Sequence, residues 1–448
     1  MNPPAWEAQS RMYSQRLGEM PDKIPLSQIA DVLGGFAFKS EDFNAAGIPV
    51  VRIANIEPPH VNLSDCAKIP ENKVIGLDRF KLEDGDIVMA MTGATIGKAG
   101  RVRSTTPAYL NQRVAKISAK AGHEFDDFVW AIVSRRGFEE EVLNNAGGSA
   151  QANVSAEGIG RIRIPNLSTD EQLAIGKVIR TLDDKIELNR RMNRTVEELA
   201  ARLFRSWFVD FDPVIAKAAG RKPAHLRPEL FSLFPTDFQD SELGPIPQGW
   251  RVAALSEIAS INAHKMSRNY TYTEIEYLDI SSVIEGVING TTRIARTAAP
   301  SRAQRLVVHG DTIWSCVRPN RRSFAFIQDP PENMVVSTGF ATLTPTCGSP
   351  AFIYTATTTD DFTDYLTAHA EGSAYPAVRP ETFENAPVVV PTAELLNEFE
   401  KIVSPWLAQV AHNIRESRTL AALRDTLLPK LLSGELREQA ENLVTASS

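Results

Sequence analysis

Leu26-Ser27-Gln28-Ile29-Ala30 recurs as Leu255-Ser256-Glu257-Ile258-Ala259. Gly85-Asp86 recurs as Gly310-Asp311, and Gly148-Ser149-Ala150 as Gly372-Ser373-Ala374. Each match is short, but the three keep their order at offsets of 229, 225 and 224. Shared order at a nearly constant offset makes the chain a tandem duplication of about half its length, a period far longer than a solenoid's. Whatever this sequence builds, it builds twice. The length of 448 residues is too great for one ordinary core and fits roughly two to four domains.

Each half divides again. Residues 21–165 and 246–391 carry short β-branched runs, such as Ile48–Ile53, Asp86–Ala90 and Ala386–Val390, punctuated by Gly, Pro, Asn and Ser. This is the pattern of a mixed, mostly β domain. Residues 168–208 contain no Pro and no Gly beyond Gly176, and they predict one long helix. Ser168 or Thr169 caps it, with Glu171 or Gln172 reaching back.

Along that helix Ile175, Ile179, Leu182, Ile186, Asn189, Asn193, Val196, Ala200, Leu203 and Trp207 alternate steps of four and three, a coiled-coil seam. Adding 224 gives Phe399, Val403, Trp406, Val410, Asn413, Ser417, Leu420, Arg424, Leu427 and Leu431, so the second half carries the same stripe. About 40 residues of helix make a rod of roughly 60 Å. A narrow seam on such a rod is buried against a partner helix, and the other copy supplies one; two ordinary core helices are the alternative. Polar Asn189 and Asn413 in mid-seam are suited to setting register. Pro405 predicts a kink or a delayed start in the second helix. The fold class expected is α+β: a duplicated, mostly β domain, each copy followed by a long helix.

Several chemistries fail on spacing. Met91-Thr92-Gly93-Ala94-Thr95-Ile96-Gly97-Lys98-Ala99-Gly100 looks like a phosphate loop. A P-loop needs four residues between its glycines and Ser or Thr after the Lys to hold magnesium. Gly93 and Gly97 enclose three, and Ala99 follows Lys98. Asn2-Pro3-Pro4-Ala5 lacks the aromatic that stacks on a flipped base in amino-methyltransferases, and no Gly-rich cofactor turn precedes it. Glu71-Asn72-Lys73 has no acidic partner at nuclease spacing. Cys66, Cys316 and Cys347 are too scattered for zinc or a disulfide framework, which fits a reduced cytoplasmic setting. No apolar run approaches the ~20 residues that span a bilayer, so no membrane partner is expected. The sequence presents no catalytic constellation and no metal site.

Local charge is more informative than the net −7. Residues 87–120 hold no Asp or Glu but carry Lys98, Arg101, Arg103, Arg113, Lys116 and Lys120, with Asn111-Gln112 between. Residues 286–328 carry Arg293, Arg296, Arg302, Arg305, Arg318, Arg321 and Arg322 against the single acid Asp311. The two patches fall at corresponding places. Lys and Arg suit DNA phosphates, while Arg, Asn and Gln suit base edges. The candidate DNA-binding residues are Lys98, Arg101, Arg103, Asn111, Gln112, Arg113, Arg293, Arg302, Arg318, Arg321 and Arg322. The candidate helix-pair seam is Ile179, Leu182, Ile186, Asn189, Leu203, Trp406, Val410, Asn413, Leu420 and Leu427.

Five motifs in order complete the reading. Glu171-Gln172 with Ile175 follows Ile164-Pro165, and Leu182-Asp183-Asp184-Lys185-Ile186 leads to Asn189. Trp207-Phe208-Val209-Asp210-Phe211-Asp212-Pro213-Val214 closes the first helix. Leu243-Gly244-Pro245-Ile246-Pro247-Gln248-Gly249-Trp250 opens the second β-rich region, and Leu427 to Leu436 closes the second helix. On these residues the chain resembles the specificity subunit of type I restriction–modification enzymes over nearly its whole length. Glu398-Phe399 departs from Glu171-Gln172, and Pro405 has no counterpart.

The resemblance implies an N-terminal segment (1–20), a first target recognition domain (21–165), a central conserved helix (166–211), a connector (212–245), a second recognition domain (246–391), a distal conserved helix (392–437) and a C-terminal tail (438–448). It implies that the helices pair antiparallel as a coiled coil. Each domain would read half of a split double-stranded DNA target, and the helices would dock two methyltransferase subunits, with motor–nuclease subunits added for cleavage. No catalysis and no cofactor are expected on this chain; S-adenosylmethionine, ATP and magnesium belong to the partner subunits. A recognition subunit of another restriction type is the alternative, which the neighbouring genes would distinguish.

Overall fold

Ser168 closes the capping box at the start of the first long helix: its backbone N–H donates to Glu171 Oε2 at 2.8 Å and its Oγ lies 2.9 Å from the same oxygen. The helix then runs unbroken over Thr169–Phe208. Its counterpart runs over Ala393–Ser433, starting 224 residues later. The expected delay at Pro405 is therefore absent, and the two helices begin at equivalent places. Pro405 lies on the exposed side of the helix, where the N–H it lacks leaves a carbonyl one turn back open to solvent.

A computed structural model describes residues 22–147, 152–223, 226–267 and 269–436. Segments 1–20 and 438–448, Asn2-Pro3-Pro4-Ala5 and Gly148-Ser149-Ala150 lie outside them. The chain forms two units, residues 1–188 with 416–448 and residues 189–415.

In the first unit, short strands alternating with turns make two sheets. One is six-stranded, in the order Ala30–Gly34, Val114–Ala119, Ile87–Ala90, Ala99–Arg101, His60–Val61, Ile56–Glu57. The other is four-stranded, with Ile48–Val51 parallel to Ala108–Leu110 between Ala67–Ile69 and Lys81–Leu82. A core of Leu26, Met89, Ile117, Phe128 and Phe138 extends onto Ile175 and Ile179 of the first helix and Leu428, Leu431 and Leu432 of the second. Each such side chain buried contributes about 1.5–3 kcal/mol. Arg424 Nη1 meets Asp183 Oδ1 at 2.8 Å, and Lys185 Nζ meets Glu416 Oε2 at 3.1 Å, so here the helices run antiparallel. Gly176 lets the helix reach the domain, since a Cβ there would lie 2.9 Å from the Phe128 backbone nitrogen.

The second unit repeats the plan. Ala259–Ile261, Phe340–Pro345, Thr312–Ser315 and Phe324–Phe326 form one sheet; Thr292–Ala295, Glu274–Leu278, Met334–Ser337 and Ala303–Leu306 form another. Glu274–Leu278 and Met334–Ser337 are parallel, as their counterparts are in the first copy. An aromatic core of Phe204, Trp207, Phe208, Phe352 and Phe399 welds the domain to both helices, with Phe208 and Phe399 centroids 5.1 Å apart. Again the helices run antiparallel: Asn413 Nδ2 donates to Asn193 Oδ1 at 2.8 Å, and Asn193 Nδ2 to the Val410 carbonyl at 3.3 Å.

The recurring sequence motifs have local tasks. Leu26–Gln28 and Leu255–Glu257 are matching 3-10 turns with buried leucines. Asp86 and Asp311 each accept from the backbone N–H three residues earlier, Glu83 and Val308, at 2.7 and 2.9 Å. Of the seam, Ile179, Asn189, Val410 and Asn413 are buried, while Leu182, Ile186, Leu203, Trp406, Leu420 and Leu427 are half-buried.

Candidate nucleic-acid interface

The glycine-rich stretch 91–100 is the turn of a hairpin between Ile87–Ala90 and Ala99–Arg101. Gly93 and Gly97 take φ of 77° and 83°, the left-handed region that glycine enters without strain. Gly97 has a second constraint: a Cβ there would lie 2.9 Å from Glu139 Cα. Three backbone hydrogen bonds bind the turn to its surroundings. Met91 N–H donates to the Arg113 carbonyl at 2.9 Å, Val154 N–H to Met91 at 2.9 Å, and Gly93 N–H to Ala152 at 3.2 Å.

Together they frame a polar cleft of about 490 Å³, lined by Thr92, Gln112, Arg113, Asn153 and Ser155. The Thr92 hydroxyl oxygen is buried beside it with no hydrogen-bond partner among the described residues. Gln112 and Arg113 are exposed on the turn between Ala108–Leu110 and Val114–Ala119.

The second copy reproduces this frame. Cys316 N–H donates to Gly339 at 2.8 Å, Val378 N–H to Cys316 at 2.9 Å, and Arg318 N–H to Pro376 at 2.7 Å. Arg318 therefore stands where the first copy has Gly93, and Arg322 where it has Gly97. Both arginines are left-handed, with φ of 50° and 55°. Burial pushes the Cys316 thiol up to about 11, so it stays neutral and is no nucleophile.

The structure sorts the basic residues sharply. Arg101 is 6% exposed, pairs with Asp127 at 2.8 Å and lies 5.5 Å over the Trp130 ring, so its guanidinium is held within the domain. Arg322 is likewise held: it bonds Glu285 at 2.6 Å, Asp360 at 2.8 Å, Thr363 at 2.9 Å and the Thr358 carbonyl at 2.9 Å. The reason is the same for both. A guanidinium far along the chain from acids in sequence is next to them in the fold.

Arg103 reaches Asp184 of the first long helix at 3.2 Å, Arg293 pairs with Glu274, and Arg302 approaches Asp279 at 3.6 Å. Asn111 is half-buried and donates its backbone N–H to Val51. Lys98, Arg113 and Arg321 have no ion pair among the described residues, and Arg321 is exposed. Of the candidates without an acidic partner among the described residues, Lys98, Gln112, Arg113, Arg318 and Arg321 gather around the two framed turns. Thr92, Asn153 and Tyr375 escaped the charge argument because they are neutral. Their sequence signal was the recurring Gly-Ser-Ala, which precedes the strand bridge to each turn.

Two domains with one backbone frame and different polar side chains define a duplicated protein. Residues 22–198 match the family described as the type I restriction modification DNA specificity domain. The MjaIX specificity subunit of Methanocaldococcus jannaschii, of a type I restriction enzyme, is 22% identical over 445 residues, 96% of this chain and 97% of its own. The HindI specificity subunit of Haemophilus influenzae is 25% identical over 320 residues, 61% of this chain and 69% of its own. The crystal structure of the S subunit of a type I system from M. genitalium shares the fold, with a TM-score of 0.55 at 16% identity over 92% of this chain and 96% of that one. The chain is therefore similar to type I restriction–modification specificity subunits over nearly its whole length, and its residues 22–198 carry their DNA specificity domain. No helix among the described residues is long and apolar enough to cross a membrane.

Proposed function

We propose that this chain is the recognition component of a type I complex, each β-rich domain reading one half of a split double-stranded DNA target. The observation that carries this reading is the framed turn: the same hydrogen-bonded backbone recurs in both copies, with Gln112 and Arg113 where the second copy has Thr338 and Gly339, and Arg318 and Arg321 where the first has Gly93 and Ile96. A fixed frame with variable polar tips is what reading two different half-sites requires.

The domain boundaries follow from the same reading: recognition domains at 21–165 and 246–391, joined by the connector 212–245. The helix pair sets the spacer between half-sites and docks two methyltransferase subunits, to which motor–nuclease subunits add. Methyl transfer, with S-adenosylmethionine, and ATP-driven cleavage belong to those partners, and this chain holds no cofactor of its own. Its place is the cytoplasm, where the DNA is.

Methylome sequencing of a host producing this chain with its methyltransferase tests the reading. It is expected to show one bipartite motif, and one added heptad in both long helices should lengthen the spacer without changing either half. An unsplit motif, or an unchanged spacer in an active complex, overturns it.

A further inference from the structure

We propose that Arg318 and Tyr375 form a guanine-reading pair at the tip of the second recognition domain; this rests on the specificity-subunit reading. A turn serving only to reverse the chain takes glycine at its left-handed position, as the first copy does with Gly93. The second copy carries arginine there instead, at φ 50°. Residues held in that region against their preference cluster where they do work beyond folding.

Arg322, the other left-handed arginine of the turn, is explained by its four partners on neighbouring elements. Arg318 is not. Among the described residues its guanidinium makes one hydrogen bond, Nη2 to the Ala374 carbonyl at 3.0 Å, and has no acidic partner. Its remaining contact is with the Tyr375 ring, 4.8 Å from the guanidinium carbon to the centroid. That ring is 72% exposed, so burial does not account for it.

An exposed aromatic against the guanidinium of a half-buried arginine has a clear use. Stacking holds the planar fork in one orientation while leaving donors free, which lowers the ordering cost of a two-point hydrogen bond. In the DNA major groove the edge that offers two acceptors to such a fork is guanine, through O6 and N7. Arg321, exposed three residues further along the turn, is placed for the adjoining phosphate.

The test is selection from random duplex DNA by the full chain in its methyltransferase complex, comparing wild type with Arg318→Gly, Arg318→Lys, Tyr375→Ala and Tyr375→Phe. Wild type should select a bipartite motif with a guanine in one half. Arg318→Gly should reduce preference at that position roughly 10- to 100-fold and leave the other half intact. Its melting temperature should not fall, because glycine suits the backbone there. Arg318→Lys and Tyr375→Ala should relax the same position, and Tyr375→Phe should keep it.

Equal weakening of every sequence would make Arg318 a phosphate anchor, and an unchanged motif would make it a structural turn; either result overturns the proposal. A wild-type motif that is not bipartite is a different failure, that of the specificity-subunit reading itself.

Discussion

Asn413 and Asn193 meet amide to amide, Nδ2 to Oδ1 at 2.8 Å, between the two long helices in the second unit. Asn413 is 2% exposed, and its own Oδ1 accepts from Gln409 Nε2 at 2.8 Å. A buried amide left without its partner loses its desolvation compensation, so Asn413→Ala should cost about 1–3 kcal/mol in urea unfolding. Replacing both Asn193 and Asn413 by Leu should recover most of that loss while loosening helix register. A single substitution that leaves the unfolding midpoint unchanged sinks this account.

Arg322 sets backbone strain against contacts. Glycine at its position would relieve roughly 1–2 kcal/mol of left-handed strain. It would also delete two ion pairs and two further hydrogen bonds, charge-assisted contacts worth about 1.5–3 kcal/mol each before solvent screening. The contacts should prevail, so Arg322→Gly is expected to lower stability by about 1–3 kcal/mol. Arg318→Gly, with far less to lose, should not. Thermal melts of the two variants side by side decide this.

Glu197 gives the second unit a pH dependence. Burial pushes its carboxyl up to about 7; the Glu285 charge adds to the shift and Arg194 opposes it. The folded value lies above the ordinary 4.5, so in between the folded state holds a proton that the unfolded chain has released. That stability is complete below pH 4.5 and is lost as pH rises through about 7. Its amplitude is at most about 3 kcal/mol. Glu197→Gln should flatten this part of the stability profile and be the more stable protein at about pH 8. Parallel profiles for the two proteins would falsify the assignment.

Lys98 lies half-buried beside the first framed turn with no ion pair among the described residues. If it meets a DNA phosphate, Lys98→Ala should weaken binding to all sequences alike and reduce the salt slope by about 1. Binding isotherms at several salt concentrations measure both. A shift in sequence preference would make it a base reader instead.

The helices and the duplication were legible because their signals are local or periodic. A capping box spans four residues, a seam repeats every three or four, and a repeat is visible wherever its short motifs recur in order. The delayed start expected from Pro405 is absent: the proline lies on the exposed side of the helix, which starts at Ala393 regardless.

The basic patches were legible as patches but not as surfaces. Arg101 lies 26 residues from Asp127, Arg103 lies 81 from Asp184, and Arg322 lies 38 from Asp360; no periodicity links such pairs. Charge composition says how many cations a segment has, whereas the fold decides which of them already have an acid beside them. The sequence by itself determined the tandem plan, the two long helices and the absence of a P-loop at Gly93–Lys98, since each depends on spacing along the chain. Only the tertiary structure decided that Arg318 and Arg322 occupy the places of Gly93 and Gly97, and that one is bound into the domain while the other stands with Tyr375 at its tip. The physical reason is that hydrogen bonds and ion pairs form between neighbours in space, and folding sets which residues those are.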